Sequence, residues 1–387
     1  MTADLVVFGE DWGAHPSSTQ HLVRRLAADR KVVWINSIGM RRPRMDGRDL
    51  RRALGKAGAM ISGRRNDARP ERVAATSMTL AASPVPNNLS VHSVAAIPAP
   101  ASRAAFALNR TLLGRQVRRL MHDRDIVRPV LWTSLPTALP AVGEFGERAV
   151  VYYCGDDFGA LAGVDHGPVL EMEERLVARA DLVLAASEVL ARRFPARKTR
   201  LVPHGADIAL FSTPAPRAPE LPAGVPIAGF YGALADWIDV DLIAAVARSL
   251  PRWRFVFVGP VATDVTLLAT LDNVTMLGAR PHASLPGFAQ HWDVSLIPFR
   301  DCPQIHAANP LKLREYLAAG APIASTPFPA LRPYRDLVQI GAGEVEFRAA
   351  ILAAAADKAG AEARRGRVAA ESWDGRAAEV SAALDAL

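Results

Sequence analysis

Cysteine is nearly absent from this 387-residue chain: only Cys154 and Cys302 occur, with no Cys-x-x-Cys spacing. Neither a disulfide framework nor a cysteine zinc site is to be expected. Aromatic residues make up only 6% of the chain. No apolar run reaches the ~18 residues of a membrane-spanning helix, because Arg, Asp or Pro always intervenes. The opening stretch MTADLVVFGEDWG has no basic segment and no cleavage site, so no secretory signal is expected there. What the chain does have is bulk. Half of it is hydrophobic, which excludes a disordered chain, and its length suits two domains of ordinary size. The expectation is a two-domain protein of a reducing, cytoplasmic compartment.

The net charge of +7 is unevenly placed. Residues 1–200 carry 30 Lys and Arg against 20 Asp and Glu, whereas the remainder carries 16 against 19. Within 41–72 alone stand eleven basic and four acidic side chains, beginning RRPRMDGRDLRRALGK. A solvated, Arg-rich surface accounts for such a run; attraction to an anionic partner is the functional alternative. No aromatics interleave with it and no recognition motif appears, so nucleic acid is the weaker candidate. An anionic membrane surface fits better. The protein is therefore expected to act peripherally, at the inner face of the cell membrane.

Short β-branched runs alternate with helical patterns throughout. Candidate strands in the first half are LVVFG (5–9), KVVWIN (31–36), PVLWTS (129–134), AVVYYC (149–154), DLVLAAS (181–187) and TRLVPHG (199–205). The second half offers PIAGFYG (226–232), RFVFVGP (254–260), NVTMLG (273–278), VSLIPF (294–299) and PIAST (322–326). Helical patterns such as STQHLVRRLAAD, WIDVDLIAAVARSL and FRAAILAAAADKAGAEARRGRVAAES lie between. Strands spaced by helices indicate an α/β class with parallel sheets, here two doubly wound Rossmann-like domains in tandem. The Pro/Ala-rich stretch 212–226 looks like a linker, and ligands of such folds bind at the carboxyl ends of the strands, here in an interdomain cleft.

The most informative segment is AANPLKLREYLAAGAPIAST. Asn309 suits an N-cap, Pro310 the first helical position and Gly320 the C-terminal cap, giving a helix over about 310–319. Lys312 then lies in the first turn, where a cation opposes the helix dipole. An anion bound there removes the conflict, since helix N-termini and lysine together hold phosphate. Glu315 follows on the same face, placed to accept from hydroxyls. An amphipathic helix with an exposed Lys–Glu pair is the plain alternative.

NPLKLREYLAAGAPIAST resembles the donor-site segment of retaining GT-B glycosyltransferases, the bacterial family-four (group 1) enzymes of surface polysaccharide synthesis. Further blocks are similar to that family in the same order: FGEDWGAHPSSTQHLVRRLA, VVYYCGDD, EERLVARADLVLAAS, LVPHGADIALF, GFYGALADWIDVDLI, NVTMLGARPHASLPGFAQHWDVSLIPF and the terminal SWDGRAAEVSAAL. The resemblance implies an acceptor domain over 1–205, with helix 372–387 packing back on it, and a nucleotide-sugar donor domain over 206–371. Glu315 matches the second glutamate of the family's paired motif and holds the donor ribose; Ala307 stands where the first is expected. An Arg/Lys pair expected after GFYG is replaced by Leu234, Asp236, Trp237 and Asp239. Gly232 and Trp237 are thereby placed at the donor, and the diphosphate is left to Lys312, Asn309 and the helix N-terminus. Gly278, Ala279 and Arg280 resemble the loop that meets the nucleobase.

In the first half, Ser17 with Gln20 makes a capping box, so Glu10, Asp11, Gly13 and His15 sit on a βα loop. The resemblance places that loop near donor phosphates and acceptor. His15 is a candidate for a direct role, or else a loop histidine bonded to local backbone. Asp156 and Asp157 follow strand AVVYYC, where a carboxylate orients or deprotonates an acceptor hydroxyl, or else caps the loop; Asp157 is preferred. Two Asp-x-Asp matches, 123–125 and 239–241, fall at helix ends and are not taken as metal ligands. The expected activity is transfer of a sugar from a nucleotide diphosphate sugar to a glycan or lipid-linked hydroxyl, with no metal and no other cofactor. The alternatives are a nucleotide-sugar epimerase or hydrolase on the same fold, or a catalytically silent sugar-nucleotide-binding protein.

Overall fold

A computed structural model describes residues 2–13, 17–38, 85–99, 101–160, 164–357 and 359–387, so His15 and the basic run 41–72 lie outside the described residues. These residues divide into two compact units: the first runs to Pro203 and regains Ala377–Leu387, and the second spans His204–Arg376.

In the first unit the β-branched runs become β1 (Leu5–Phe8), β2 (Val32–Ile35), β3 (Leu89–His92), β4 (Val130–Thr133), β5 (Ala149–Cys154), β6 (Leu182–Ala185) and β7 (Thr199–Leu201). All pair in parallel, in the order β3-β2-β1-β4-β5-β6-β7. β1, β2, β4, β5 and β6 are buried at every position, as strands covered on both faces must be. The helix Ser18–Leu26 starts at Ser17, whose hydroxyl accepts from the Gln20 N–H. Near the C-terminus, the buried Arg30 guanidinium donates to Ser381 Oγ at 2.6 Å and Asp385 Oδ1 at 2.9 Å, which ties the last turns of the helix Trp373–Asp385 to β2's approach.

The second unit contains β8 (Ile227–Tyr231), β9 (Arg254–Val258), β10 (Val274–Met276), β11 (Val294–Ile297), β12 (Ile323–Ser325) and β13 (Gln339–Ile340), parallel in the order β10-β9-β8-β11-β12-β13. In each sheet the order reverses direction beside its first strand, at β1/β4 and at β8/β11, which is the dinucleotide-binding arrangement with its switch point. Three expectations need correcting. β3 and β13 form where the sequence marks no candidate strand. The alanine-rich run forms two helices, Gly343–Ala356 and Ala361–Val368, because Asp357 leaves helical geometry and its carboxylate caps the Gly360 N–H. The Pro-rich stretch 212–226 is bonded into the second unit, through the Ala218 N–H to the Gly287 carbonyl, with Leu221 buried.

β8 packs its backbone directly against an indole. A Cβ built on Gly229 lies 1.7 Å from Trp292 Cε3, and Trp292 itself is held by its Nε1–H on Ser295 Oγ at 2.8 Å. Gly229→Ala is expected to cost about 1–3 kcal/mol through overpacking. Gly167→Ala, where nothing lies within 4 Å, is the control and is expected to change stability by less than about 0.5 kcal/mol. Urea unfolding of the two variants compares them, and equal stabilities would show that Trp292 gives way freely.

Candidate functional site

Three glycine loops meet at the carboxyl edge of the second sheet. Gly232 follows β8 with φ 128°, Gly259 follows β9 with φ 152°, and Gly278 follows β10 with φ 69°. Their backbones are laced together: the Gly232 N–H donates to Val258 O at 2.8 Å, and the Gly259 N–H to Gly278 O at 2.9 Å. No side chain fits between them, since a Cβ on Gly259 falls 2.0 Å from the Gly232 carbonyl oxygen. The close approach explains why glycine is required here, beyond its tolerance of positive φ.

Lys312 lies across this edge. Its Cε is 2.1 Å from where a Gly232 Cβ would stand, and its ammonium sits 5.6 Å from the centroid of the Phe230 ring. Burial lowers its pKa below the usual 10.5, with Glu315 opposing that shift. Among the described residues no ion pair or hydrogen bond holds the ammonium. A half-buried ammonium with no direct ion pair, only the nearby Glu315 charge, has its hydrogen bonds free for a phosphate.

Glu315, one turn on, is buried and engaged at both oxygens. The Tyr231 hydroxyl donates to Oε2 at 2.8 Å, and His282 Nε2 meets Oε1 at 3.2 Å. Burial and the Glu315 charge push the Tyr231 pKa well above 10, so the phenol stays a donor. For His282, burial pulls the pKa down, but the hydrogen bond and charge of Glu315, with Asp207 beyond, outweigh it and leave the value above 6.5. Neither Tyr231 nor His282 was singled out from the sequence. Tyr231 has the pattern of an ordinary strand residue, and His282, though it lies two residues past Arg280 in the block NVTMLGARPHASLPG, has no spacing that marks it out there.

The helix here is Leu311–Ala319, so Pro310 is its cap and Asn309 does not take that part. The Asn309 side-chain oxygen instead accepts from Arg314, which also pairs with Glu371 at 2.6 Å. Gly320 ends the helix at φ 76°, as expected of a left-handed cap. Arg280 is paired with Glu220 at 3.0 Å, and Trp237 is half-buried against the core. Ala307 is buried at the end of the helix Pro303–Ala307. Asp239 caps the helix Val240–Ser249 through the Leu242 N–H at 3.0 Å, and among the described residues no cluster of three or more His, Cys, Asp or Glu could hold a metal.

In the first unit the loop after β1 is held from several sides. Trp34 occupies the space where a Gly9 Cβ would stand and donates its indole N–H to Glu10 O at 3.2 Å. Asp11 accepts from the Ser37 N–H and hydroxyl, and the Gly13 N–H donates to Gln20 Oε1 at 3.0 Å, with Gly13 at φ 79°. After β5, Asp156 is exposed, whereas Asp157 pairs with Arg193 at 2.7 Å and caps the Gly159 N–H. The same Arg193 reaches the buried Glu173 at 2.9 Å, which in turn accepts from the Tyr152 hydroxyl at 2.6 Å. Asp157 thus fixes the loop by an ion pair, whereas Asp156, exposed as a residue, has its carboxyl pKa raised by burial and adds to the shift of Glu10. Burial raises the Cys154 thiol well above its usual pKa, in keeping with an inert core residue.

Glu10 has the most perturbed carboxyl of this loop. Burial, aided by Asp156 and Asp11, outweighs hydrogen bonds from its own backbone and Gln20 and pushes it up to about 7. Among the described residues its buried Oε1 has no hydrogen-bond partner. The native state therefore holds this proton up to a higher pH than the unfolded chain does. Stability contributed below about 4.5 is lost as pH rises towards 7. Glu10→Gln is expected to unfold later than wild type in urea at pH 8, by about 1–3 kcal/mol, with the difference vanishing near pH 4.5. A constant difference across pH would place the effect elsewhere.

No family model matches the chain. Over 276 residues it is 28% identical to the Putative teichuronic acid biosynthesis glycosyltransferase TuaH of Bacillus subtilis (strain 168), an alignment covering 64% of this chain and 69% of that one. Among solved structures it resembles Anabaena HepE in complex with UDP, with a TM-score of 0.67, 15% identity, and 99% and 100% of the two chains covered. It resembles equally the sucrose-phosphate synthase of Thermosynechococcus elongatus, with a TM-score of 0.68, 16% identity, and 99% and 98% covered. The chain has the tandem Rossmann-like GT-B fold of these solved structures, and its sequence is similar to that of a glycosyltransferase.

Proposed function

We propose that the protein is a glycosyltransferase that moves a sugar from a nucleoside diphosphate sugar to a hydroxyl of a glycan or lipid-linked acceptor in the synthesis of a cell-envelope polysaccharide. One observation carries the donor assignment. The unpaired Lys312 ammonium lies over Gly232 at the switch point of the second sheet, one helical turn from the buried Glu315 carboxylate. Lysine and the loop N–H groups suit a diphosphate, and the carboxylate suits ribose hydroxyls. The similarity to HepE, solved with UDP, and to TuaH, named for teichuronic acid synthesis, supports the donor and acceptor classes.

In this mechanism the acceptor oxygen attacks the anomeric carbon on the face the diphosphate leaves, with retention. The carbon–phosphate oxygen bond breaks, and the acceptor proton passes to the departing phosphate. Lys312 stabilises the charge that develops there, and no metal is needed. The first unit, with Gly13, Glu10 and Asp156 at its strand ends, is assigned to the acceptor, and His15, outside the described residues, remains a candidate by its position in the sequence alone.

Calorimetry with UDP, GDP, ADP and dTDP in EDTA-containing buffer tests the donor site. Lys312→Ala is expected to weaken the preferred nucleotide roughly 10- to 150-fold, as loss of a charge-assisted contact of about 1.5–3 kcal/mol. Unchanged affinity in Lys312→Ala, or binding that appears only with added manganese, rejects the assignment.

We also propose peripheral attachment to an anionic membrane. The helix Arg103–His122 holds five arginines and no acidic residue, and Leu108 is 54% exposed and Leu112 37% exposed. Leu108, Leu112, Arg115 and Arg119 recur at helical spacing and form one outward stripe, an apolar ridge followed by cations. Each basic side chain near an anionic surface is worth about 1 kcal/mol. Wild type is expected to sediment with anionic but not neutral liposomes at low salt, and to be released as salt is raised. Changing the four stripe residues to Ser reduces that binding; equal sedimentation of the variant rules the stripe out.

A further inference from the structure

The Glu315 carboxylate is not an isolated acceptor. It is gripped at Oε2 by the Tyr231 hydroxyl at 2.8 Å and at Oε1 by His282 Nε2 at 3.2 Å. Tyr231 ends β8, Glu315 lies mid-helix, and His282 opens the short turn His282–Ser284 beyond β10. Three separate elements therefore converge on one carboxylate. The imidazole is itself seated, its ring 5.5 Å from that of Phe211 in an edge-to-face pair, and Phe211 stacks with Tyr231 at 6.0 Å.

We propose that His282 is a positioning residue of the donor site: by holding one Glu315 oxygen while Tyr231 holds the other, it aims the carboxylate at the ribose and makes donor affinity depend on pH. The role rests on the donor-site assignment above. An ionised carboxylate offers about four lone-pair sites, so two remain for two vicinal ribose hydroxyls after Tyr231 and His282 have taken theirs. Because the carboxylate only accepts, Nε2 carries a proton, and what pH decides is whether Nδ1 carries one too.

The charged groups bearing on the imidazole are Glu315 and, further off, Asp207. Both favour the imidazolium and, against the effect of burial, raise its pKa above the usual 6.5. While charged it offsets Glu315 beside an anionic ligand. As pH rises past its pKa, the offset is lost and the carboxylate repels the diphosphate. Tyr231 takes no part in that titration because its pKa lies well above 10. Lys312, lowered by burial, adds a separate limb at higher pH.

The test is calorimetry at pH 6.0 and 8.5 with UDP-glucose, GDP-mannose, ADP-glucose and dTDP-glucose, whose phosphates do not titrate in that range. Wild type is expected to bind its preferred donor on the order of three- to tenfold more weakly at pH 8.5. His282→Gln keeps a donor for Oε1 without the charge. It is expected to lose most of that dependence while keeping the wild-type affinity of pH 8.5, any residual slope belonging to Lys312. His282→Phe, which leaves Oε1 unpaired, is expected to bind on the order of tenfold more weakly than His282→Gln at both values. If His282→Phe does not fold, His282→Gln alone decides. Wild-type affinity and pH dependence in His282→Gln overturns the role of His282 and leaves the donor site standing. Failure of wild type to bind any of the four donors overturns the donor-site assignment and this role with it.

Discussion

The second unit depends on one steric constraint: the backbone at the ends of β8, β9 and β10 approaches so closely that nothing larger than hydrogen fits on Gly232 or Gly259. Because the Gly232 carbonyl lies where a Gly259 side chain would be, the two loops can stay in register only as glycines. Because Gly232 is bare, the aliphatic stem of Lys312 can lie flat on it and carry the ammonium to the switch point. A methyl group there displaces the lysine before it disturbs any strand. The position of the cation is thus set by the absence of side chains beneath it, and only secondarily by the helix from which it springs.

Charge is then distributed by burial. Among the described residues Lys312 has no ion pair and only the nearby charge of Glu315, which is itself buried and held by two donors. The first unit solves a different problem. Its Arg193 neutralises both Glu173 and Asp157, and through them the strand end that carries Asp156 is anchored. Glu10, by contrast, is half-buried, its Oε1 enclosed and unpartnered among the described residues, and the cost appears as a carboxyl pKa pushed up to about 7. Groups kept this far from their ordinary state are the ones a ligand can most readily shift.

Much of the architecture was legible because parallel strands buried on both faces must be apolar along their whole length. Runs such as AVVYYC and VVWI satisfy that condition. β3 escaped because its polar LSVH is only part-buried, and β13 because its two residues are exposed at an edge. The alanine-rich run gave no sign of its break, since Asp357 and Gly360 are each tolerated inside helices until a capping bond forms. Asn309 was misplaced for a similar reason: a side chain that suits a cap suits Arg314 equally well, and only proximity to Arg314 settles which it serves.

By itself, the chain's order of residues determined the α/β class, two doubly wound sheets, and the segment bearing Lys312 and Glu315. All of these follow from local periodicity, end signals and spacing within one helix. Tertiary structure alone decided that Tyr231 and His282 share Glu315, that Asp157 is consumed by Arg193, and that the Glu10 carboxyl is desolvated. Each of these joins residues tens of positions apart, on different strands and loops. Their protonation and bonding depend on desolvation and distance, which exist only once the sheets have assembled.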